Sequence, residues 1–324
     1  MSRPTIALST CQRNRRSGIF GACRICGEPG RKGVALPPTS PTVARWELLL
    51  RLNDLRKEQN IDPKTAASAL KITANHWWQL MSDRRALTDD HFKAVLKLFG
   101  IAAGSEEERE LTALRACARE RGWWMDYASL YDDETRRLYG LEYGAQAIQT
   151  YEGLLIPGLL QTENYARALM ASDVARVRPV DAGLYIEVRL RRQRRLFDGD
   201  PLQLTAIINE AALIQQIGGP EVQKEQLEHL ARMMQDHSDT VDIRVVPLTA
   251  RQRPIQLGSP FHILYFPNAI TPPLVWHESI ATRGIIEDQS RVRELRIIYE
   301  SQLENSLSRE DSLTLIGEIA DRIA

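Results

Sequence analysis

Two amides one helical turn apart, Asn75 and Gln79, are the side chains of this 324-residue chain best suited to reading a nucleic acid. An amide pairs in bidentate fashion with the N6 and N7 edge of adenine in the major groove. Cations flank the two amides, with Lys64 and Lys71 before them and Arg84 and Arg85 after. Side chains of this type meet phosphates, which position a reader without specifying sequence. Trp77 and Leu80, three residues apart, supply apolar anchors on the opposite face. One short helix can therefore bury one side and offer the other, with its start at Thr73, Ala74 and Asn75 exposed to enter a groove.

Other constellations fall short of the chemistry they suggest. Cys23 and Cys26 form a C-x-x-C pair with Cys11 upstream, but a structural zinc site takes four ligands and no further pair is in reach. These read as free thiols in a tail, and Cys117 reads as a small core residue. Five arginines crowd Arg189–Arg195, a run expected to form a helix pairing with carboxylates of its own domain, the alternative being a second nucleic-acid contact. His229 and His237 have no acidic triad around them, and His277-Glu278 is an isolated pair at a strand end. Ser259 lacks the second glycine of a nucleophile elbow, and no phosphate-binding or dinucleotide loop is present. No enzyme, no cofactor and no metal is expected.

Charge separates the two parts of the chain. Lys plus Arg and Asp plus Glu both total 42, yet residues 1–122 hold 21 basic and 13 acidic side chains while 123–324 hold 21 and 29. A basic front beside an acidic back suggests a polyanion-binding module joined to something else. Within the front part, residues 1–41 carry seven basic groups against one acid and no periodic apolar face, so a disordered basic tail is expected. Four cysteines are too few for a disulfide scaffold, which points to a reduced, cytoplasmic setting. Pro254 to His277 runs 24 residues without a formal charge, but five prolines forbid one spanning helix, so no membrane is expected.

The elements that must hold the amides are legible from Thr42 onward. Leu48, Leu52 and Leu55 form one helical stripe, and Asn60 follows it as a residue that tolerates a left-handed cap. Asp62-Pro63 reads as N-cap plus first-turn proline of a short helix to Leu70, with Ala66, Ala67 and Ala69 small enough for a close crossing. Thr73 caps the next helix to Met81, and Thr88 caps one that turns Phe92, Val95, Leu96 and Phe99 inward. Ser105 with Glu108 opens a further helix bearing Leu111 and Leu114. Beyond Trp123-Trp124, β-rich runs at Leu202–Asn209, Val241–Leu248, Phe261–Phe266 and Leu274–Trp276 alternate with helical segments. Two closing helices, about Asp288–Leu303 and Arg309–Ile323, end the chain. Trp123, Trp124, Tyr127, Tyr143 and Tyr151 are expected to fill a core, and Leu154–Leu160 to make a buried bend.

Ile61–Leu70 followed by Thr73–Leu80 resembles, without gaps, the helix-turn-helix of Cro and phage-repressor (XRE) type regulators. Tyr151–Ala166, with Asn209–Leu213 and Gly218–Pro220, resembles the large uncharacterised C-terminal domain of an actinobacterial group of such regulators, described as antitoxin-like. Departures from the pattern fall in the first segment. Pro63 stands where the family usually has Gln, Lys71 where it favours Gly, Met81 where Glu is frequent, and Trp78 where an ordinary polar residue points outward. Lys71 is thus expected to take the left-handed conformation, and Trp78 to touch a base, a sugar or a protein.

The resemblance implies an N-terminal all-α helix-turn-helix domain of five helices followed by an α+β C-terminal domain. The boundaries expected are a tail over 1–41, the DNA reader over 42–104, a bridging helix over 105–122 and a regulatory domain over 123–324. The function implied is that of a DNA-binding transcriptional regulator, a homodimer on operator half-sites about 34–36 Å apart. A small partner protein encoded nearby would dock on the C-terminal domain. Residues expected at the DNA are Lys64, Thr73, Ala74, Asn75, Trp78, Gln79, Arg84 and Arg85. Two alternatives stay open: an antitoxin-like adaptor whose helix-turn-helix has lost DNA, and a regulator with a small-molecule pocket between the C-terminal helices and sheet.

Overall fold

A computed structural model describes residues 39–173, 177–250, 259–279 and 281–323. Residues 1–38, with the expected basic tail and its Cys11, Cys23 and Cys26, lie outside these.

The N-terminal region, residues 41–127, is helical. It comprises α1 (Pro41–Glu58), α2 (Pro63–Ala69), α3 (Ala74–Met81), α4 (Asp89–Leu98) and α5 (Glu106–Ala118), then a 3-10 turn over Trp123–Tyr127. Asp62, Thr73, Thr88 and Ser105 each cap the helix expected of them by accepting a hydrogen bond from a first-turn N–H. α1 starts one residue before the expected Thr42, because Ser40-Pro41 repeats the N-cap-plus-proline signature of Asp62-Pro63.

Two cores meet at α1. Ala44, Leu48 and Leu52 pack with Ala66, Trp77, Phe92, Leu111 and Leu114 in the N-terminal core. Val43 and Trp46 face the other way into the core of the C-terminal region, where Trp46 meets Phe266 edge-on at 5.1 Å. α5 was the expected bridge between regions, yet its Leu111, Leu114 and Cys117 lie within the N-terminal core. α6 (Asp133–Gly144) receives the first turn of α1 closely. A Cβ on Gly140 would collide with Thr42 Oγ1, and one on Gly144 would come within 2.7 Å of Ser40 and Val43. The Ser40 hydroxyl donates to the Gly140 carbonyl at 2.5 Å across this contact.

The C-terminal region holds a mixed six-stranded sheet with helices. In chain order follow β1 (Ala147–Glu152), α7 (Glu163–Ser172), α8 (Ala182–Gln193), β2 (Gln203–Asn209), α9 (Glu210–Ile214) and α10 (Pro220–Asp236). Then come β3 (Val241–Val246), β4 (Phe261–Tyr265), β5 (Leu274–Glu278), β6 (Arg283–Ile286), α11 (Gln289–Asn305) and α12 (Arg309–Arg322). Sheet order is β3-β2-β1-β4-β5-β6, with β1, β2 and β3 parallel and the remaining neighbours antiparallel. Ile148, Ala206, Leu264 and Trp276 face a core built with Leu141 of α6, Val188 of α8, Leu227 of α10 and Ile316 of α12. Tyr151, Ile207, Ile263 and Val275 face the opposite way, onto Val292 and Tyr299 of α11.

β2 to β5 coincide with the four expected β-rich runs. β1 and β6 were not expected. β1 occupies the middle of the sheet although Gln149, Thr150 and Glu152 make half of it polar. Neighbours satisfy two of these groups: Gln149 accepts from the Tyr265 hydroxyl at 2.7 Å, and Thr150 Oγ1 lies 2.6 Å from His262 Nδ1.

Candidate nucleic-acid interface

α2 begins where the Asp62 carboxylate accepts from the N–H groups of Lys64 at 2.8 Å and Thr65 at 3.1 Å. These bonds, together with one from the Thr65 hydroxyl, hold the Asp62 carboxyl below the usual carboxylate range. Lys71 ends the helix at φ 56°, as expected, with its N–H donating to Ser68 O and the Ile72 N–H donating to Ala67 O, both at 3.0 Å. This is a Schellman closure made without glycine. Asn60 (φ 54°) closes α1 with the same pair of bonds, and Asp83 (φ 58°) ends α3 with the Arg84 N–H donating to Gln79 O. All non-glycine residues with positive φ among those described are these three.

Thr73 then caps α3 by accepting from the His76 N–H at 3.1 Å. Trp77 (3 % exposed) and Leu80 (0 %) bury one face of α3, Trp77 in the company of Ala66 and Ala67, the small residues of α2. Ala69, also expected at this crossing, is exposed. Outward, Ala74 and Asn75 are exposed, Gln79 is half-buried and Trp78 keeps 50 % of its surface accessible. Because Gln79 O accepts from both the Arg84 and Arg85 N–H groups, the loop after α3 is drawn back against the end of that helix. The Arg84 guanidinium lies over the Trp78 ring at 4.6 Å. Lys64, Lys71, Arg84 and Arg85 are exposed, and among the described residues none forms an ion pair.

One neighbour escaped the sequence reading. His76 of α3 and His91 of α4 meet edge-on at 5.4 Å. Partial desolvation, then Arg85 and His91, lowers the His76 pKa. Nothing in the sequence pairs two histidines fifteen residues apart; the packing of α3 beside α4 does.

Asp83 faces the other region. Arg45 of α1 lies 3.7 Å from its carboxylate, and burial pushes its pKa up against the opposing fields of Arg45 and Arg137. The loop after α3 thus turns its acid toward the protein and its two arginines toward solvent.

Residues 135–318, more than half of the chain, match the family model of a domain of unknown function, DUF5753. The chain belongs to this family. The DUF5753 match starts within α6 and ends within α12, so it takes in the whole sheet and every segment used for the C-terminal resemblance, and it leaves the helical N-terminal region outside. Comparison with curated proteins gives no match, and comparison with solved structures gives none.

Inside the DUF5753 domain the arginine run is consumed by the fold. Arg192 forks onto Glu142 with two hydrogen bonds of 2.7 Å, the carboxylate pairing expected of the run. Three others take different partners, and Arg194 is exposed. Arg195, 4 % exposed, donates to the carbonyls of Tyr143, Ala145 and Asp200. Arg191 lies over the Trp123 ring at 4.7 Å, and Arg189 donates to Gln161 Oε1. Trp124, Tyr127 and Tyr151 are buried as expected, with Trp123 and Tyr143 packed partly buried against the same core. The bend over Leu154–Leu160 buries Ile156, Leu159 and Leu160 but leaves Leu154 61 % exposed. Among the described residues no group of three or more His, Cys, Asp or Glu side chains can hold a metal, and no helix is long and apolar enough to cross a membrane.

Proposed function

We propose that this DUF5753 protein is a DNA-binding transcriptional regulator in which α2 and α3 form a helix-turn-helix. The observation that carries this reading is the two-sidedness of α3: Trp77 and Leu80 are sealed inward while Asn75, Trp78 and Gln79 stand outward beside two unpaired arginines. A helix so anchored offers amides to base edges, and exposed cations around it meet phosphates. The region 42–104 acts as the reader, α5 continues from it, and the region from 123 onward receives a signal or a small partner protein. Action as a homodimer on two half-sites follows from the usual geometry of such readers.

Half-exposed Trp78 favours a second reading, in which the same face of α3 docks a protein and the helix-turn-helix no longer engages DNA. A gel shift with the protein's own upstream region separates the two. Retardation that survives an excess of random duplex supports the regulator, and its absence at low salt supports the adaptor.

A further inference from the structure

Where β1 ends, the DUF5753 region holds a carboxylate with nothing to bind. Glu152 is 8 % exposed, and among the described residues its carboxylate has no hydrogen-bond or ion-pair partner. Its oxygens are nevertheless absent from the fully enclosed unpaired polar atoms, so the group borders open space and not a dry core.

The sheet register brings a second acid beside it. Tyr151 pairs with Phe261 and Phe261 with His277, so one step further Glu152 and Glu278 stand level on either side of Pro260. The Glu278 N–H donates to Pro260 O at 3.4 Å. By strand alternation both carboxylates lie on the face that carries Thr150, His262 and Trp276 and that α6 and α8 cover. Their Cα atoms are about 10 Å apart, two strand spacings, with a proline ring between them. On the same face Thr150 and His262 bond each other, so neither serves as a partner for Glu152.

α8 supplies a cation, Arg189, whose field reaches Glu152. Arg189 spends one donor on Gln161, which is itself fixed to Ile156 O at 2.7 Å, and no other hydrogen-bond acceptor is matched to its guanidinium. Arg192 next to it is already neutralised by Glu142. Two carboxylates thus face one guanidinium that keeps free donors, and once Glu152 ionises the unmet charge is negative.

We propose that Glu152, Glu278 and Arg189 line a binding site for a small molecule bearing a protonated amine. The ammonium replaces the partner that Glu152 lacks, and Glu278 shares it from the other side of Pro260. A carboxylate on the same ligand would meet the free donors of Arg189. The site gives a chemical identity to the signal-receiving role proposed for this region, and its occupancy is read without DNA, so loss of the DNA reading would leave it standing.

Proton linkage sets the sign of the pH dependence. Burial first, then Glu278 of β5, pushes the Glu152 carboxyl up to about 8 against the opposing pull of Arg189 of α8, with the Tyr165 hydroxyl of α7 also in its field. Below that value the acid is neutral and a poor host for a cation. Affinity therefore rises as pH passes upward through about 8 and levels off above it.

The test is calorimetric titration of the full chain with putrescine, L-ornithine and succinate, with melting temperature followed in parallel. Putrescine and ornithine should bind and raise the melting temperature, succinate should not, and the amines should bind roughly tenfold more tightly at about pH 8.5 than at about pH 6.5. Ornithine binding more tightly than putrescine would place its carboxylate on Arg189. Glu152→Gln, which keeps the shape, should weaken amine binding by about tenfold or more. Without ligand the same variant should melt higher than the parent at about pH 8.5, since no unpaired carboxylate then has to be buried in ionised form. Glu278→Gln serves as a second variant and should weaken binding to a lesser degree. No response to either amine at about 10 mM, an equal response to succinate, or undiminished amine binding by Glu152→Gln would each overturn the proposal.

Discussion

Arginines at two places in this chain have opposite fates. Arg84 and Arg85, after α3, are exposed, and among the described residues their guanidiniums find no carboxylate, Arg84 lying instead over the face of Trp78. Arg189, Arg191, Arg192 and Arg195, on and just after α8, are drawn into the DUF5753 region and spent on an amide, a ring, a carboxylate and three carbonyls. The denser run is the one less able to meet a polyanion. Density of positive charge in a sequence therefore says little about what it binds; whether partners are already in place decides.

The contrast breaks first at Arg192. Replacement by Ala strands the Glu142 carboxylate, whose side chain is 7 % exposed, and should destabilise the protein by about 3–5 kcal/mol in chemical denaturation. A loss below about 1 kcal/mol would mean that the pair contributes like a surface contact.

On the other side of the comparison, Asn75→Ala and Gln79→Ala should each weaken binding to the specific operator by about 1–3 kcal/mol while leaving random-sequence binding unchanged. Equal losses on both duplexes would remove these amides from base contact.

Arg84→Ala and Arg85→Ala should leave stability within about 0.5 kcal/mol of the parent, because neither side chain holds the fold. Each should weaken binding to all duplexes alike and flatten the logarithmic salt dependence by about one unit for every phosphate that is no longer neutralised. An unchanged slope in the double variant would show that the loop after α3 stays off the backbone.

Lys71→Gly should give the smallest effect, a stabilisation of up to about 1 kcal/mol, since glycine takes φ 56° without a Cβ clash, partly offset by the greater freedom of the unfolded chain. A destabilised variant would mean that the lysine stem packs usefully against the turn.

Local signals were the legible ones. Asp62-Pro63, Thr73, Thr88 and Ser105 open their helices where side-chain oxygens can accept first-turn N–H groups, and that chemistry acts within four residues. Trp77 and Leu80 were legible as anchors because a helix places residues three apart on one face. β1 was not legible: its Gln149, Thr150 and Glu152 read as polar until β4 supplies Tyr265 and His262 from more than a hundred residues away. β6 is four residues long and partly exposed, too short for alternation to register.

For the candidate interface, the sequence located Asn75, Gln79 and the flanking cations, and the left-handed turn at Lys71. It could not say that Trp78 would lie under Arg84, that His76 would meet His91, or that α1 would serve both cores. The Glu152 site was wholly hidden, because Glu278 and Arg189 reach it only through the pairing of β1 with β4 and of β4 with β5 and the laying of α8 across them.

What the sequence determined by itself is the set of caps, turns and helical faces in the N-terminal region, where each choice is made by neighbours along the chain. Only the tertiary structure decided which charges are free and which are used. Arg84 and Arg192 are the same residue type, each next to another arginine, and no local signal says which will meet a carboxylate. The difference arises because α6 and the bend before α7 bring Glu142 and Gln161 to α8, while among the described residues no carboxylate pairs with Arg84 or Arg85 after α3. Electrostatic partners are chosen by distance in space, and that distance exists only once the chain has folded.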